Sequence, residues 1–309
     1  MILVLNLNAS VDKKYRMNNL SKGLVMRAND VHNTPGGKGI HVANVINILK
    51  EACIATGFLG GKTGEFIESK LKDYNINQDF VKIQGDTREC LAIITDDLVQ
   101  TEILEPGPIV TNEEQTKFLD KYKSLIKNCN IIVASGSVPK NIPKDFYKTL
   151  IEIAKTHNKK FLLDTSGDLL KEGLEAKPFF IKPNKDEIEA LTGRKILSVN
   201  DAIDEIKEFH KKGIDLVVIS LGKDGSIAGF NGKFYKVTVP KVNAINPVGS
   251  GDSYVAGIAI GLQKNLSIEN ILKYASACGT ANAMEEETGF VSENVVNDLL
   301  NRISVDIVE

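Results

Sequence analysis

The stretch IIVASGSVPKNIPKDFYKTLIEIAKTHNKKFLL, residues 131–163, holds a complete β–α–β signal. An apolar run at 131–134 opens it, and a second, at 161–163, closes it. Between them Phe146, Leu150, Ile153 and Ala154 recur at helical spacing after Pro143. Short, continuously apolar strands around an amphipathic helix predict parallel neighbours buried on both faces. The same rhythm extends outward. Residues 2–7, 54–58, 179–181 and 216–220 are further β-rich runs, and Ile203, Ile206 and Phe209 recur helically before Gly213. The expectation is an α/β fold, a mostly parallel sheet with helices on both faces. In the last third, residues 226–230 and 234–239 flank Asn231-Gly232, a hairpin signal. After Gly251 the chain reads as almost wholly helical.

Two segments break the rhythm. Residues 14–32 are polar and lack a helical period, while 89–95 and 100–104 read as strands joined by Asp96-Asp97. Together, about 13–32 and 88–105 are expected to form a small β lid on a single domain spanning 1–309. An exposed small sheet leaves edges that need cover, so a homodimer through the lid is expected. With 38 Lys+Arg against 40 Asp+Glu, the net charge of −2 offers no basic surplus for a nucleic-acid partner. The longest apolar runs fall far short of the ~20 residues that span a bilayer, so no membrane partner is expected. The opening MILVLNLNAS has no basic residue before its apolar stretch and reads as a buried strand, not a secretion signal. Cys53, Cys90, Cys129 and Cys278 are scattered without a CxxC pair, which suits free thiols and a cytoplasmic location.

Several glycine-rich places bear on chemistry. TPGGKG, residues 34–39, precedes a helical run through Asn44, Ile48 and Leu49. Three glycines around Lys38 suit an anion or a sugar approaching the backbone, with a plain tight turn as the alternative. GFLGGKT, 57–63, imitates a phosphate-binding P-loop but has only three residues before its Gly-Lys pair where four are needed. It reads as a turn into a helix over 64–72. SLGKDG, 220–225, follows a strand, where open α/β sheets bind ligands, although plain turns share the pattern. NPVGSGDS, 246–253, is the sharpest signal. Small residues there lead backbone N–H groups into a helix start, a concave anion site with Asp252 beside it. That carboxylate suits a base next to a transferring phosphate, or it complements the helix dipole. Asn184 and Glu187, three apart at another helix start, suit either a capping box or hydrated Mg²⁺.

Further motifs join these in order along the chain: NASVD (8–12), GGKG (36–39), Thr87-Arg88, SGSVP (135–139), KPN (182–184) with Glu187, SLG (220–222) and VGSGD (248–252). On them the sequence resembles the ribokinase and phosphofructokinase-B superfamily of sugar kinases, which implies a ribokinase-like fold. TREC (87–90), QTEILE (100–105) and NPVGSGD look closer to the branch acting on tagatose 6-phosphate than to that acting on fructose 1-phosphate. Members of the latter usually carry Asn where Cys90 stands and Ala where Ser250 stands. One departure affects both: the residue two after GGKG is normally Asn, and here it is His41.

The resemblance implies ATP-dependent phosphorylation of the C1 hydroxyl of tagatose 6-phosphate to the 1,6-bisphosphate. Conversion of fructose 1-phosphate to its bisphosphate is the alternative, and a sugar-phosphate or nucleotide sensor is the non-enzymatic one. Asp252 would be the base, beside the amides of Gly249, Ser250 and Gly251. Asp12, Gly37, Lys38, His41, Arg88, Ser137 and, from the lid, Arg27 would meet the sugar phosphate. Lys182, Asn184, Ser220, Gly222, Gly225, Gly249, Gly251 and Asn282 would meet ATP, with Asn184 and Glu187 holding Mg²⁺ through water.

Overall fold

The apolar run at the start forms β1 (Ile2–Asn6), near the middle of the main sheet of the computed structural model, which describes residues 1–97 and 99–308. Its side chains alternate between two cores: Ile2 and Val4 join one, Leu3 and Leu5 the other. A strand buried on both faces needs this unbroken apolar character.

From β1 the chain steps to an antiparallel pair, β2 (Ser10–Arg16) and β3 (Asp30–Gly36). Helix α1 (Lys38–Ile48) leads to β4 (Cys53–Gly60), and α2 (Gly61–Asp73) to the short β5 (Asn77–Gln78) and β6 (Val81–Ile83). A second pair, β7 (Arg88–Ile94) and β8 (Gln100–Leu104), precedes α3 (Asn112–Leu125). Alternation resumes with β9 (Ile131–Ser135), α4 (Phe146–Thr156), β10 (Lys160–Asp164), α5 (Gly167–Glu175) and β11 (Phe180–Ile181). Helices α6 (Lys185–Thr192) and α7 (Val199–Lys211) lead to β12 (Leu216–Ser220), β13 (Ser226–Phe230) and β14 (Lys233–Thr238). Helices α8 (Ser250–Gln263), α9 (Ile268–Ala283) and α10 (Glu293–Leu300) precede β15 (Ser304–Ile307).

The main sheet runs β15-β14-β13-β12-β11-β10-β9-β1-β4-β5, with β6 beside β4. From β12 to β5 every neighbour is parallel, as the apolar runs predict. The expected hairpin joins β13 to β14, with Asn231 (φ 50°) and Gly232 (φ 73°) both left-handed, as a type I′ turn requires. The end of the chain corrects the helical expectation. β15 pairs antiparallel with β14, and its mostly exposed SVDI gives no apolar pattern to read.

The small sheet has the order β3-β2-β7-β8. Its second half matches expectation, with Leu98 of the connection lying outside the described residues. Its first half corrects the expected bounds of 13–32, because the strands cover Ser10–Arg16 and Asp30–Gly36 and only 17–29 are irregular. Much of this pair faces solvent, so its strands lack the apolar runs that reveal the main sheet. The P-loop imitation is the end of β4 and the start of α2, which begins at Gly61 and not at the expected 64, and a Cβ at Gly57 within β4 would lie 1.9 Å from the Asn6 carbonyl oxygen.

Register places the chemistry. Leu5 pairs with Ala134, Ala134 with Leu163, and Leu163 with Ile181. Asn6, Ser135, Asp164 and Lys182 therefore emerge together at the C-terminal end of the parallel strands, where such sheets bind ligands. All four cysteines are buried and free. No helix among the described residues is long and apolar enough to cross a membrane.

Candidate active site

Helix α8 begins at a left-handed glycine, Gly249 (φ 84°). The Ser253 N–H donates to the Gly249 carbonyl at 2.9 Å, and the Ser250 N–H to Pro247 at 3.2 Å. Between them the Gly251 and Asp252 amides belong to the first turn, which a helix leaves unfilled by its own carbonyls and which suits an anion. Close packing accounts for the glycines. A Cβ at Gly249 would lie 2.7 Å from the Gly289 nitrogen, and one at Gly251 would lie 3.3 Å from Lys182 Nζ. Asn282 holds this loop from behind. Its Nδ2 donates to Val248 O at 2.8 Å, and its Oδ1 accepts from Ser253 Oγ at 3.0 Å and from the Gly289 N–H at 2.9 Å. Asn282, expected to meet ATP, is fully buried, and its amide is engaged on both sides in this arrangement.

Asp252 is 5 % exposed, and its Oδ2 lies 2.9 Å from His41 Nδ1. On the other side of that ring, Nε2 lies 3.5 Å from Asp12 Oδ2. Asp12 Oδ1 accepts from Ser10 Oγ at 2.6 Å. The preceding glycines make room for this group: a Cβ at Gly36 would lie 2.1 Å from Asp12 Cγ, and one at Gly37 (φ 100°) would lie 2.7 Å from Asn6 Nδ2. Burial opposes charge on His41, but hydrogen bonds to Asp12 and Asp252 outweigh it and hold the pKa at about 9. A cleft of about 350 Å³ opens here between the small sheet and the main body, lined by Asp12, Lys38, His41, Arg88, Gly251 and Asp252 among others.

Beneath the cleft lies a buried carboxylate, Asp164. Its Oδ2 accepts from Ser135 Oγ at 2.9 Å and sits 3.3 Å from Lys38 Nζ, while Oδ1 sits 3.4 Å from Lys182 Nζ. Burial pushes the Asp164 pKa up, yet the two ammonium groups prevail and bring it down to about 2. The Asp164 charge in turn raises the Lys38 pKa.

At the margin, Arg88 donates from Nη1 to Glu105 O at 2.8 Å and from Nη2 to Asn8 O at 3.1 Å. Asn8 Nδ2 donates to Ser137 Oγ at 3.0 Å, so the chain through Asn8 brings Arg88 and Ser137 together. Arg88 Nε is buried with no partner among the described residues. Arg27 is exposed in the irregular 17–29 segment and is not among the residues lining the cleft of this chain.

On the far side of Asp164, Asn184 and Glu187 complete the capping box of α6. The Glu187 N–H donates to Asn184 Oδ1 at 2.8 Å, and the Asn184 N–H to Glu187 Oε2 at 2.9 Å. The Ser220 N–H donates to Pro183 O at 3.2 Å, setting the end of β12 beside residues 182–184. Gly222 (φ 60°) and Gly225 (φ 87°) shape the next turn, and a Cβ at Gly225 would meet the Val237 oxygen at 2.0 Å. Among the described residues no group of three or more His, Cys, Asp or Glu could hold a metal. The hard oxygens of Asn184 and Glu187, each partly committed to the capping box, fit a Mg²⁺ ion that keeps its waters.

A profile of the pfkB family of carbohydrate kinases matches residues 5–294. The chain belongs to this family. It is 41 % identical over 311 aligned positions to tagatose-6-phosphate kinases from two strains of Staphylococcus epidermidis, covering 99 % of both chains. Phosphofructokinase-2 from Escherichia coli, solved with potassium, superposes with a TM-score of 0.92 at 27 % identity, over 97 % of this chain and 98 % of that one. Arabidopsis thaliana ribokinase shares the fold, with a TM-score of 0.81 over 97 % of this chain and 98 % of that one, at 20 % identity.

The resemblance read from the motifs is thus borne out. In this pfkB-family kinase the fold gathers Asp12, Gly37, Lys38, His41, Arg88, Gly249, Gly251 and Asp252 around one cleft, with Ser250 opening α8 beside them. Lys182, Asn184, Glu187 and Ser220 gather at neighbouring strand ends. Sequence reasoning missed Asp164, whose only signal is an acid ending the apolar run FLLD.

Proposed function

We propose that the chain transfers the γ-phosphoryl group of ATP to the C1 hydroxyl of tagatose 6-phosphate. The observation that carries this reading is Asp252, a buried carboxylate whose Oδ1 has no hydrogen bond among the described residues, in the first turn of α8 beside the free amides. Oδ1 would accept the C1 hydroxyl proton. The Gly251 and Asp252 amides would hold the transferring oxygens, and donors of this kind are worth roughly 10²–10³ in rate. In a loose transition state the proton leaves late, so Asp252 positions the hydroxyl as much as it deprotonates it. Asp12 would accept hydrogen bonds from sugar hydroxyls. Lys38 and Lys182, fixed by Asp164, would balance the negative charge, and the turn at Ser220, Gly222 and Gly225 would border the nucleotide. Asn184 and Glu187 would hold Mg²⁺ through water, and that ion, when bound, neutralises phosphate charge.

The substrate follows from the relatives at 41 % identity, which are named for tagatose 6-phosphate. Parallel assays of tagatose 6-phosphate, fructose 1-phosphate and fructose 6-phosphate test it, and tagatose 6-phosphate should give the largest kcat/KM. A larger value for either fructose phosphate would replace this substrate. The substrate's own phosphate needs a fixed cation, and Arg88, half-anchored with Nε unfilled, supplies a planar fork. Arg88→Ala should raise KM for the sugar phosphate at least about tenfold, the range of a lost charge-assisted hydrogen bond, with KM for ATP nearly unchanged. Equal rises in both constants would remove Arg88 from that role.

The lid reading extends to assembly: the small sheet would pair two copies of the chain. Its outer strand β8 leaves Ile103 and Leu104 more than half exposed on an open edge. Sedimentation should give a dimer of the 33.8 kDa chain, and a monomer at micromolar concentration counts against this.

A further inference from the structure

His41 lies between two carboxylates, with Nδ1 2.9 Å from Asp252 Oδ2 and Nε2 3.5 Å from Asp12 Oδ2. Ionised carboxylates only accept hydrogen bonds, and a neutral imidazole carries a single N–H. A neutral ring would therefore turn one lone pair toward an anion. The doubly protonated ring satisfies both sides. It is also penned in, because a Cβ at Gly289 would lie 2.5 Å from His41 Cβ, so the connection before α10 closes over it. Ser10 fixes Asp12 from the far side at 2.6 Å.

Several charged groups share the cleft with this ring. The carboxylates are Asp12 of β2, Asp252 of α8, Glu102 of β8 and Glu287 of the connection before α10. The cations are Lys14 of β2, Lys38 of α1 and Arg88 of β7, while Lys13 is taken by Glu89 at 2.7 Å. His32 of β3, Tyr74 after α2 and the Cys90 thiol of β7 complete the titratable lining. Only Asp12 and Asp252 reach the imidazole nitrogens within ion-pair distance among the described residues.

We propose that the His41 imidazolium is a positioning residue that clamps the sugar-side Asp12 to the base Asp252, so that loss of its proton loosens the clamp and lowers turnover on the alkaline side. The inference rests on the kinase reading above. A histidine whose pKa is raised keeps its clamp below the ordinary value near 6.5, holds it through neutrality, and loses it as pH rises through about 9. Asparagine has no proton to lose in this range and can still donate to one carboxylate.

The test follows kcat/KM with ATP and tagatose 6-phosphate from roughly pH 6 to 10, which reports groups of the free enzyme. The native enzyme should fall above an inflection near pH 9 to a level about tenfold lower, one hydrogen bond having been lost. His41→Asn should lack that inflection and lie near the lower level already at pH 7, since it too keeps a single donor. Imidazole NMR gives a readout independent of turnover. Of the four histidine resonances, the one missing in His41→Asn should titrate near pH 9 in the native protein, and lower in Asp12→Asn. An alkaline inflection that persists in His41→Asn or is absent from the native enzyme, or a His41 midpoint at or below 6.5, overturns the proposal. Should the native protein phosphorylate no sugar phosphate while His41 still titrates near pH 9, it is the kinase reading that has failed, and the NMR midpoints alone decide the clamp.

Discussion

Asp252→Ala should lower kcat by roughly 10²–10⁴, the range seen when a general base is lost, while ATP binding is largely kept. Two features of the site make the expectation specific. Oδ2 is held by His41 at 2.9 Å, which leaves Oδ1 without a partner among the described residues. The proposed anion seat would use backbone amides and Lys182, none of which the substitution removes. The fold should survive as well. Asp252 stands in the first turn of α8, where a carboxylate adds about 0.3–1 kcal/mol through the helix dipole, and its loss also removes a buried partner of His41, which keeps Asp12 on its other side. Steady-state kcat and a nucleotide dissociation constant, measured on the same preparation, separate the two roles. Turnover that stays at the native level would remove Asp252 from the chemistry. A matching collapse of ATP affinity would mean that the carboxylate organises the loop instead.

Much of this architecture could be read from residue order alone, and what could not has a physical reason. The parallel strands announce themselves because both of their faces are buried, so β1, β9, β10 and β12 carry unbroken apolar runs. Strands β3 and β15 face solvent over much of their length and β2 is mostly half-buried, so their polar residues carry no such mark. Glycine-rich loops were read as places where an anion or a sugar approaches the backbone, and the Cβ distances at Gly36, Gly37 and Gly249 show close approach by the chain's own atoms. What the local pattern hides is juxtaposition across the chain. His41 and Asp252 are 211 positions apart, and nothing near either one signals that they touch. Asn184 and Glu187 illustrate the reverse: their spacing allowed a cap or a metal, and the cap is the geometry formed. Asn282 was placed on the correct helix, and only the folded chain reveals that its amide group is engaged by Val248, Ser253 and Gly289.

Asp164 carries the second large effect, this time on stability. It is 5 % exposed and stands between Lys182, itself 8 % exposed, and Lys38, whose side chain is about half exposed. Removing one member of a buried ion pair leaves the other charge uncompensated, at a cost of about 3–5 kcal/mol. Asp164→Asn keeps the shape and a partner for the Ser135 hydroxyl but withdraws the charge, so Lys182 bears most of that cost while Lys38 is relieved by solvent. Denaturant unfolding should read the loss. The double variant Asp164→Asn/Lys182→Met should recover part of it, since the two sites share one interaction. Acid unfolding supplies an independent measure. The Asp164 pKa is lowered to about 2, from an unfolded value near 3.9, so its contribution is present above about pH 4 and drains away as pH falls toward 2. The native protein should lose this part of its stability across that window, and Asp164→Asn should not. Native-like unfolding of the single variant at neutral pH, with no difference in the acid limb, would mean that the two lysines do not depend on this carboxylate.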